Sequence, residues 1–277
     1  MFEKYLITGA TGFLGRAVIA ELKKKNVRVH ALVLENDPLA KELPKDVSVT
    51  YGDVCDDKTL TRLFSDADNL TCVIHCAGIV SLASHPDARI YTVNVGGTNN
   101  IIWHCEKRNV GKLVYVSSVH AIPEKKKGVE ITENSVFLPH LVKGDYGKSK
   151  AIATSLVFQA AKRGLNASVV FPSGIIGPGD VGKGSITNML LSFIKGKLPL
   201  AVKGAYDFVD VRDVAKGIVA CTEHGEKGRG YILSGQYATI RDILNAAKKT
   251  LKIKRAVLFL PICLAKTIAP IYEKGCL

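Results

Sequence analysis

Tyr146-Gly147-Lys148-Ser149-Lys150 sets a phenol and an ammonium four residues apart. On a helix such residues share a face and can interact. A free tyrosine, with a pKa of about 10, is a poor proton shuttle at neutral pH. A lysine ammonium beside it favours the phenolate and is expected to lower that value. A tyrosine so tuned gives a proton to a carbonyl oxygen during reduction, or takes one from a hydroxyl during oxidation. Ser117-Ser118, placed just after a predicted strand, supplies the third group. Ser118 is the residue expected to steady a substrate oxygen where negative charge develops, with Ser117 as the alternative. The plainer reading is a capped strand end and an exposed helical pair. What tips the balance is the rest of the chain.

Thr8-Gly9-Ala10-Thr11-Gly12-Phe13-Leu14-Gly15 lies between the first predicted strand and the first predicted helix. Glycine at these positions lets the chain turn tightly, lets backbone approach a pyrophosphate, and lets the helix start close against a sheet. The helix N-terminus then offers unpaired N–H groups and partial positive charge to an anion. The spacing is GxxGxxG rather than GxGxxG. A glycine turn alone is weak evidence, and its place between strand and amphipathic helix is what makes it specific.

The elements that must position these residues alternate in the manner of βαβ units. Strands are predicted at Tyr5–Thr8, Val27–Leu34, Val47–Tyr51, Cys72–Cys76, Leu113–Val116 and Ala167–Phe171. Helices are predicted at about Phe13–Lys25, Lys58–Phe64, Ala88–Cys105 and Tyr146–Arg163, the last with Asp145 as its N-cap. After Pro172 glycine and proline become frequent, which reads as loop. The prediction is an α/β fold: a Rossmann-type, doubly wound parallel sheet over residues 1–172, completed within about 205–235. The chain is expected to return to that sheet near Phe208–Ala215. A smaller substrate-binding region takes 173–204 and 236–277.

The bulk composition excludes other classes. At 47% hydrophobic and 23% charged, the 277-residue chain can bury a large core. The net charge is +13, but the basic residues are spread out, and Lys23–Lys25 and Lys125–Lys127 lack the interleaved aromatics of a single-strand-binding surface. A mild attraction for phosphate-bearing small molecules is expected, and no nucleic-acid partner. Seven cysteines, odd in number and without a CxxC pair, argue against a disulfide framework or a zinc site, so no metal is expected. That usage fits a reducing cytoplasm. Ala256–Ile271 is apolar but broken by Pro261, Lys266 and Pro270, too short for a spanning helix.

Taken together, these residues resemble the extended short-chain dehydrogenase/reductases, the NAD-dependent epimerase/dehydratase superfamily. Within it the sequence looks closest to the branch of dihydroflavonol-reductase-like and 3β-hydroxysteroid-dehydrogenase-like enzymes. The resemblance rests on the glycine turn, Gly52-Asp53-Val54, His75-Cys76-Ala77-Gly78, Tyr91 through Asn94 to Gly97-Thr98, Val116-Ser117-Ser118, Tyr146 with Lys150, Pro172-Ser173-Gly174 and Phe208–Val214. It implies that Gly9, Gly12, Phe13, Leu14 and Gly15, with Thr11 among them, line the pyrophosphate. Asp53 and Val54 would meet the adenine, and Ala77, Gly78 and Val80 would flank the nicotinamide-side ribose. Tyr146 would be the acid/base, Lys150 would also hold ribose hydroxyls, Ser118 would orient substrate, and Pro172 would face the nicotinamide. Asn94 would shape the helix behind the site, and the protein would form a homodimer. His75 reads more simply as a satisfied core histidine, and Asp53 as a turn cap.

The departures narrow the activity. Cofactor choice is usually set at the end of the second strand, by an acid for NAD or an arginine for NADP. Here Leu34 stands where relatives often carry arginine, and Glu35 follows; NAD is favoured and NADP is the alternative. Ser118-Val119-His120-Ala121-Ile122-Pro123 has neither the Tyr-Gly of the epimerases nor the paired acids of the sugar-nucleotide dehydratases. The expected reaction is therefore interconversion of a secondary alcohol and a ketone. A nucleotide-sugar epimerase and a non-catalytic NAD(P)-binding protein are the rivals. Relatives of this branch continue past the segment ending at Leu277, so the natural C-terminus is left open.

Overall fold

The computed structural model describes residues 2–80, 87–126, 129–133, 137–182 and 184–261. In chain order its elements are β1 (Lys4–Thr8), α1 (Phe13–Lys23), β2 (Arg28–Val33), β3 (Ser48–Tyr51), α2 (Asp57–Leu63), β4 (Thr71–His75), α3 (Ala88–Tyr91), α4 (Thr98–Lys107), β5 (Lys112–Val116), α5 (Asp145–Arg163) and β6 (Ala167–Pro172). They continue with β7 (Gly174–Ile176), α6 (Ser185–Ile194), β8 (Leu200–Val202), β9 (Ala205–Asp210), α7 (Val211–His224), β10 (Gly230–Leu233), β11 (Gln236–Thr239), α8 (Ile240–Leu251) and β12 (Leu258–Leu260).

The chain divides into two compact units, one running to Ser173 and resuming at Val211–Leu233, the other made of Gly174–Asp210 and the described residues from Ser234 on. The larger unit holds a seven-stranded sheet in the order β10-β6-β5-β4-β1-β2-β3, with every pair parallel. A parallel sheet is covered on both faces, so its central strands need no polar alternation. All five residues of β1, β4 and β5 are accordingly buried. Helices α1 and α7 pack together, burying Val18, Ile19 and Leu22 of the first and Val214, Ile218 and Val219 of the second. A second core joins Leu6, Val73, Leu113 and Val169 of the sheet to Ile101 and Ile102 of α4 and Val157 and Ala160 of α5. The strand order reverses between β1 and β4, and ligands of open α/β sheets bind outside the strand ends at such a point.

The smaller unit has a three-stranded sheet, β11-β9-β7, and a parallel pair, β12-β8. Phe193 of α6, Leu244 of α8 and Ala201 of β8 form its core. A capping box between Thr239 and Asp242 starts α8.

Three expectations are corrected. The chain does not re-enter the main sheet at Phe208–Ala215: β9 pairs with β7 and β11, Val211–His224 is helix, and the seventh strand is β10. Asp145 is not the N-cap of α5; Gly144 is, at φ +72°, where glycine alone is unstrained. The helix predicted over Ala88–Cys105 is broken by a π-helical turn at Thr92–Gly97. Cys72 and Cys105 are buried core thiols; Cys263 and Cys276 lie outside the described residues.

Candidate active site

Gly9 leaves β1 at φ +67°, and a Cβ there would come within 2.7 Å of the Ala77 nitrogen. A Cβ on Gly15 would overlap the Gly9 carbonyl oxygen. The turn is thus folded on itself and against the end of β4 so tightly that only glycine fits. Gly12 is exposed, is the N-cap of α1, and gives the helix no side-chain cap, so the first N–H groups of the helix have no side-chain partner there. Thr11 is buried, and its hydroxyl donates to Asp37 Oδ2 at 2.6 Å.

The adjoining strand end is fixed by a hydrogen-bond chain. Thr8 Oγ1 accepts from the Ala77 N–H at 3.1 Å and meets His75 Nδ1 at 2.6 Å. His75 Nε2 meets Thr98 Oγ1 at 3.0 Å, and that hydroxyl donates to the Asn94 carbonyl at 2.6 Å. The bonds at Thr98 assign the proton to Nε2. Burial drives the imidazole down to about 3, so His75 is a neutral core histidine. Asn94 is buried inside the π-helical turn. Its Oδ1 accepts from the Ile79 N–H at 2.8 Å, and its Nδ2 donates to the Ile79 carbonyl and to Ser149 Oγ, both at 3.0 Å. Both amide protons are used, so Asn94 holds the 77–80 run in place. That run brings Gly78 over the site: a Cβ on it would lie 3.1 Å from Asn94 Oδ1 and 3.4 Å from Lys150 Nζ. Val80 is 70% exposed. Asp53 caps its own turn, its Oδ1 accepting from the Cys55 N–H at 2.8 Å, while Val54 is buried against the Gly97 backbone.

Helix α5 carries Tyr146 and Lys150 on one face, as the spacing predicts. Lys150 is buried; its Nζ donates to the Val116 carbonyl at 2.8 Å and lies 4.8 Å from the centroid of the Tyr115 ring. Burial lowers the ammonium to about 8. Tyr146 is half-buried, with the Ser118 hydroxyl beside its phenol and the His120 ring edge-on at 6.1 Å. Desolvation raises the phenol above its ordinary value, and Ser118 opposes that rise. The expected lowering of Tyr146 by Lys150 is therefore not the dominant effect in the free protein, where burial governs both groups. Ser117 is engaged elsewhere, 2.7 Å from Thr154 Oγ1, which leaves Ser118 as the serine at the phenol.

Sequence reasoning missed Gly147. A Cβ there would come 2.7 Å from the His120 carbonyl, so glycine lets α5 seat against the turn that carries Ser118. The available signal was a glycine inside a helix, which costs ~1 kcal/mol relative to alanine and asks for a packing reason.

The residues present fit a dinucleotide. In the glycine turn a Cβ at Gly9 or Gly15 would run into backbone, and α1 starts at Gly12 with no side-chain cap on its first N–H groups, the donors a pyrophosphate needs. At the end of β6, after buried Pro172, the Ser173 hydroxyl is buried with no partner among the described residues.

Residues 5–234 match the model of the NAD-dependent epimerase/dehydratase family, and the chain belongs to that family. It is 29% identical over 264 residues to sterol demethylase protein B of Methylococcus capsulatus, covering 95% of this chain and 79% of that one. It is 30% identical over 281 residues to a putative dihydroflavonol 4-reductase of Synechocystis, covering 99% of this chain and 80% of that one. Among solved structures it resembles gox2253 with a TM-score of 0.87 at 28% identity, over 98% of this chain and 82% of that one. The chain is thus an extended short-chain dehydrogenase/reductase with NAD as the family's cofactor. No helix among the described residues is long and apolar enough to cross a membrane.

Proposed function

We propose that this protein is an NAD-dependent oxidoreductase that interconverts a secondary alcohol and a ketone, with Tyr146 as the proton-transferring group. The reading is supported by one observation: Tyr146, Ser118 and Lys150 converge at the carboxyl ends of β5 and β4, beside the glycine turn that follows β1. Bound NAD supplies the hydride acceptor or donor, and the protein supplies position and electrostatics.

In ketone reduction the protonated Tyr146 phenol donates to the carbonyl oxygen as charge develops there. The Ser118 hydroxyl donates to the same oxygen and holds it against the phenol. Lys150, anchored on the Val116 carbonyl, keeps a positive charge under the site and offers its remaining protons to ribose hydroxyls. In alcohol oxidation the same groups act in reverse. Gly9, Thr11, Gly12, Phe13, Leu14 and Gly15 bind the pyrophosphate. Asp53 and Val54 border the adenine, Ala77, Gly78 and Val80 the ribose, and Pro172 the nicotinamide. Substrate choice falls to the smaller unit, and the protein works as a homodimer.

An absorbance screen at the NADH band with steroid, flavonoid and sugar-nucleotide alcohols and ketones tests the reaction class. Net NADH formation or consumption with an alcohol or ketone is the expected result. Conversion of a sugar nucleotide with no net change in NADH would replace this reading with epimerisation.

A further inference from the structure

Lys150 is a buried ammonium with no carboxylate in ion-pair reach among the described residues. A charge so isolated is costly and readily gives up its proton. One hydrogen bond, to the Val116 carbonyl at 2.8 Å, offsets little of that cost. The titratable groups around it add no negative charge. At the end of β4, His75 is neutral, and burial raises the Cys76 thiol to about 12. One turn earlier on α5, Tyr146 keeps its proton because burial raises it as well. From β5 comes Tyr115, fully buried, whose phenol burial also pushes up.

The Tyr115 ring acts through its face. Lys150 Nζ lies over it, 4.8 Å from the centroid, inside the ~6 Å at which an aromatic face attracts a cation. The ring is fixed in turn. His75 stacks on it at 5.6 Å with the planes 30° apart, and His75 is itself pinned between Thr8 and Thr98. Val116 is the next residue of the strand, so one stretch of β5 offers the ammonium both a carbonyl dipole and a π face. Such a face stabilises a cation without cancelling its charge, as a carboxylate would. The charged form also has three donors. One goes to Val116 and two stay for a ligand, whereas the neutral amine would keep only one.

We propose that Tyr115 is a positioning residue of the active site: its ring face holds the Lys150 ammonium in place and keeps it charged, in the stead of a counter-ion. The inference rests on the reading of Lys150 as the residue that offers its protons to the cofactor ribose.

The test is the titration of Lys150 itself in the full chain. It is followed by the carbon-13 resonance of ε-labelled lysine and assigned by its loss in Lys150→Met. Tyr115→Phe keeps the ring face, and Tyr115→Leu removes it. Mono-, tri- and pentafluorinated phenylalanine at position 115 drain the face of negative charge while keeping the shape of the ring, so the outcome does not hang on how well Tyr115→Leu folds. Wild-type Lys150 is expected to titrate near 8. Tyr115→Phe should stay within ~0.5 pH unit of that, while Tyr115→Leu and the pentafluorinated ring should lower it by ~1 unit or more, in the order of fluorine content. NADH affinity at about pH 7.5 should follow, within ~2-fold of wild type for Tyr115→Phe and ~3-fold weaker for the pentafluorinated ring. A Lys150 titration that stays still along the fluorine series, or falls as far in Tyr115→Phe as in Tyr115→Leu, overturns the proposal, because the ring would then be packing alone. A titration that moves as expected in a protein that binds no NADH upholds the hold of the ring on the ammonium and defeats the dinucleotide reading instead.

Discussion

At neutral pH the Tyr146 phenol of the free protein carries its proton, because burial raises its pKa and the Ser118 hydroxyl only partly offsets that. It is poised as an acid, which favours reduction of a ketone. kcat/KM for reduction is expected to stay level from pH 6 to about 8, while kcat/KM for oxidation climbs with pH as the phenolate fraction grows. A pH profile for oxidation that falls through this range would contradict the assignment. Lys150 gives a separate thermodynamic signature. Its ammonium is lowered to about 8 in the fold, whereas the unfolded chain keeps it near 10.5. Between those values the unfolded state holds a proton that the native state has released, so native stability rises with pH. Below about pH 8 both states are charged and the full burial cost stands. Lys150→Met removes this linkage. Urea denaturation should therefore show wild type gaining on the variant by roughly 2 kcal/mol between pH 7 and 9.5. A gap that is constant or moves the other way would refute a buried, charged Lys150.

At the scale of elements, the site is built from strand ends that the neighbouring turns hold rigid. Asn94 is the clearest case: it uses its whole amide on Ile79 and Ser149, coupling the 77–80 run to α5. Asn94→Ala leaves the Ile79 N–H and carbonyl without that partner and should cost about 1–3 kcal/mol of stability. It should also weaken NADH binding more than it lowers kcat, because in the proposed binding mode the run borders the ribose and not the reacting carbon. An Asn94→Ala protein with unaltered stability and NADH affinity would show that this coupling is idle. Gly15→Ala is a harsher probe, since its Cβ would overlap the Gly9 carbonyl; loss of NADH binding is expected, and retained binding would contradict a closed glycine turn. Much of this scaffold was legible beforehand. Buried parallel strands read as continuous apolar runs, and Tyr146 and Lys150 fall one helical turn apart. The π-helical turn was not legible, because one extra residue in a turn hardly disturbs the apolar period of 88–105. Strand β10 is short, lies at the sheet edge and is only half-buried along its length, so its pattern is faint, while Ala205–Asp210 offered a stronger strand signal that serves the other sheet. The Asp37 bond to Thr11 and the close seating of Gly147 depend on chain reversals that no periodicity encodes.

At the scale of the whole molecule, a net charge of +13 draws anionic ligands without selecting among them. In the proposed binding mode the pyrophosphate is held by backbone at a helix N-terminus, so selectivity would come from the turn and not from the bulk charge. NADH affinity should accordingly fall only about 2- to 5-fold between 0.05 and 0.5 M salt, as expected when screening removes long-range attraction but leaves local hydrogen bonds. Loss of binding at high salt would mean that bulk charge, not the turn, holds the cofactor. Saturating NADH at about 100 times Kd should stabilise the protein by roughly 2.7 kcal/mol and raise Tm measurably.

The Tyr146 proton is central to the proposed reaction, and one paired measurement on Tyr146→Phe addresses it: NADH binding by fluorescence titration and steady-state turnover of the substrate found in the absorbance screen. The hydroxyl is removed while the ring and its packing stay. Binding within about 3-fold of wild type together with turnover reduced by 10²–10⁴ or more is the predicted result. Turnover near the wild-type rate in a variant that still binds NADH would show that the phenol is not the group that moves the proton.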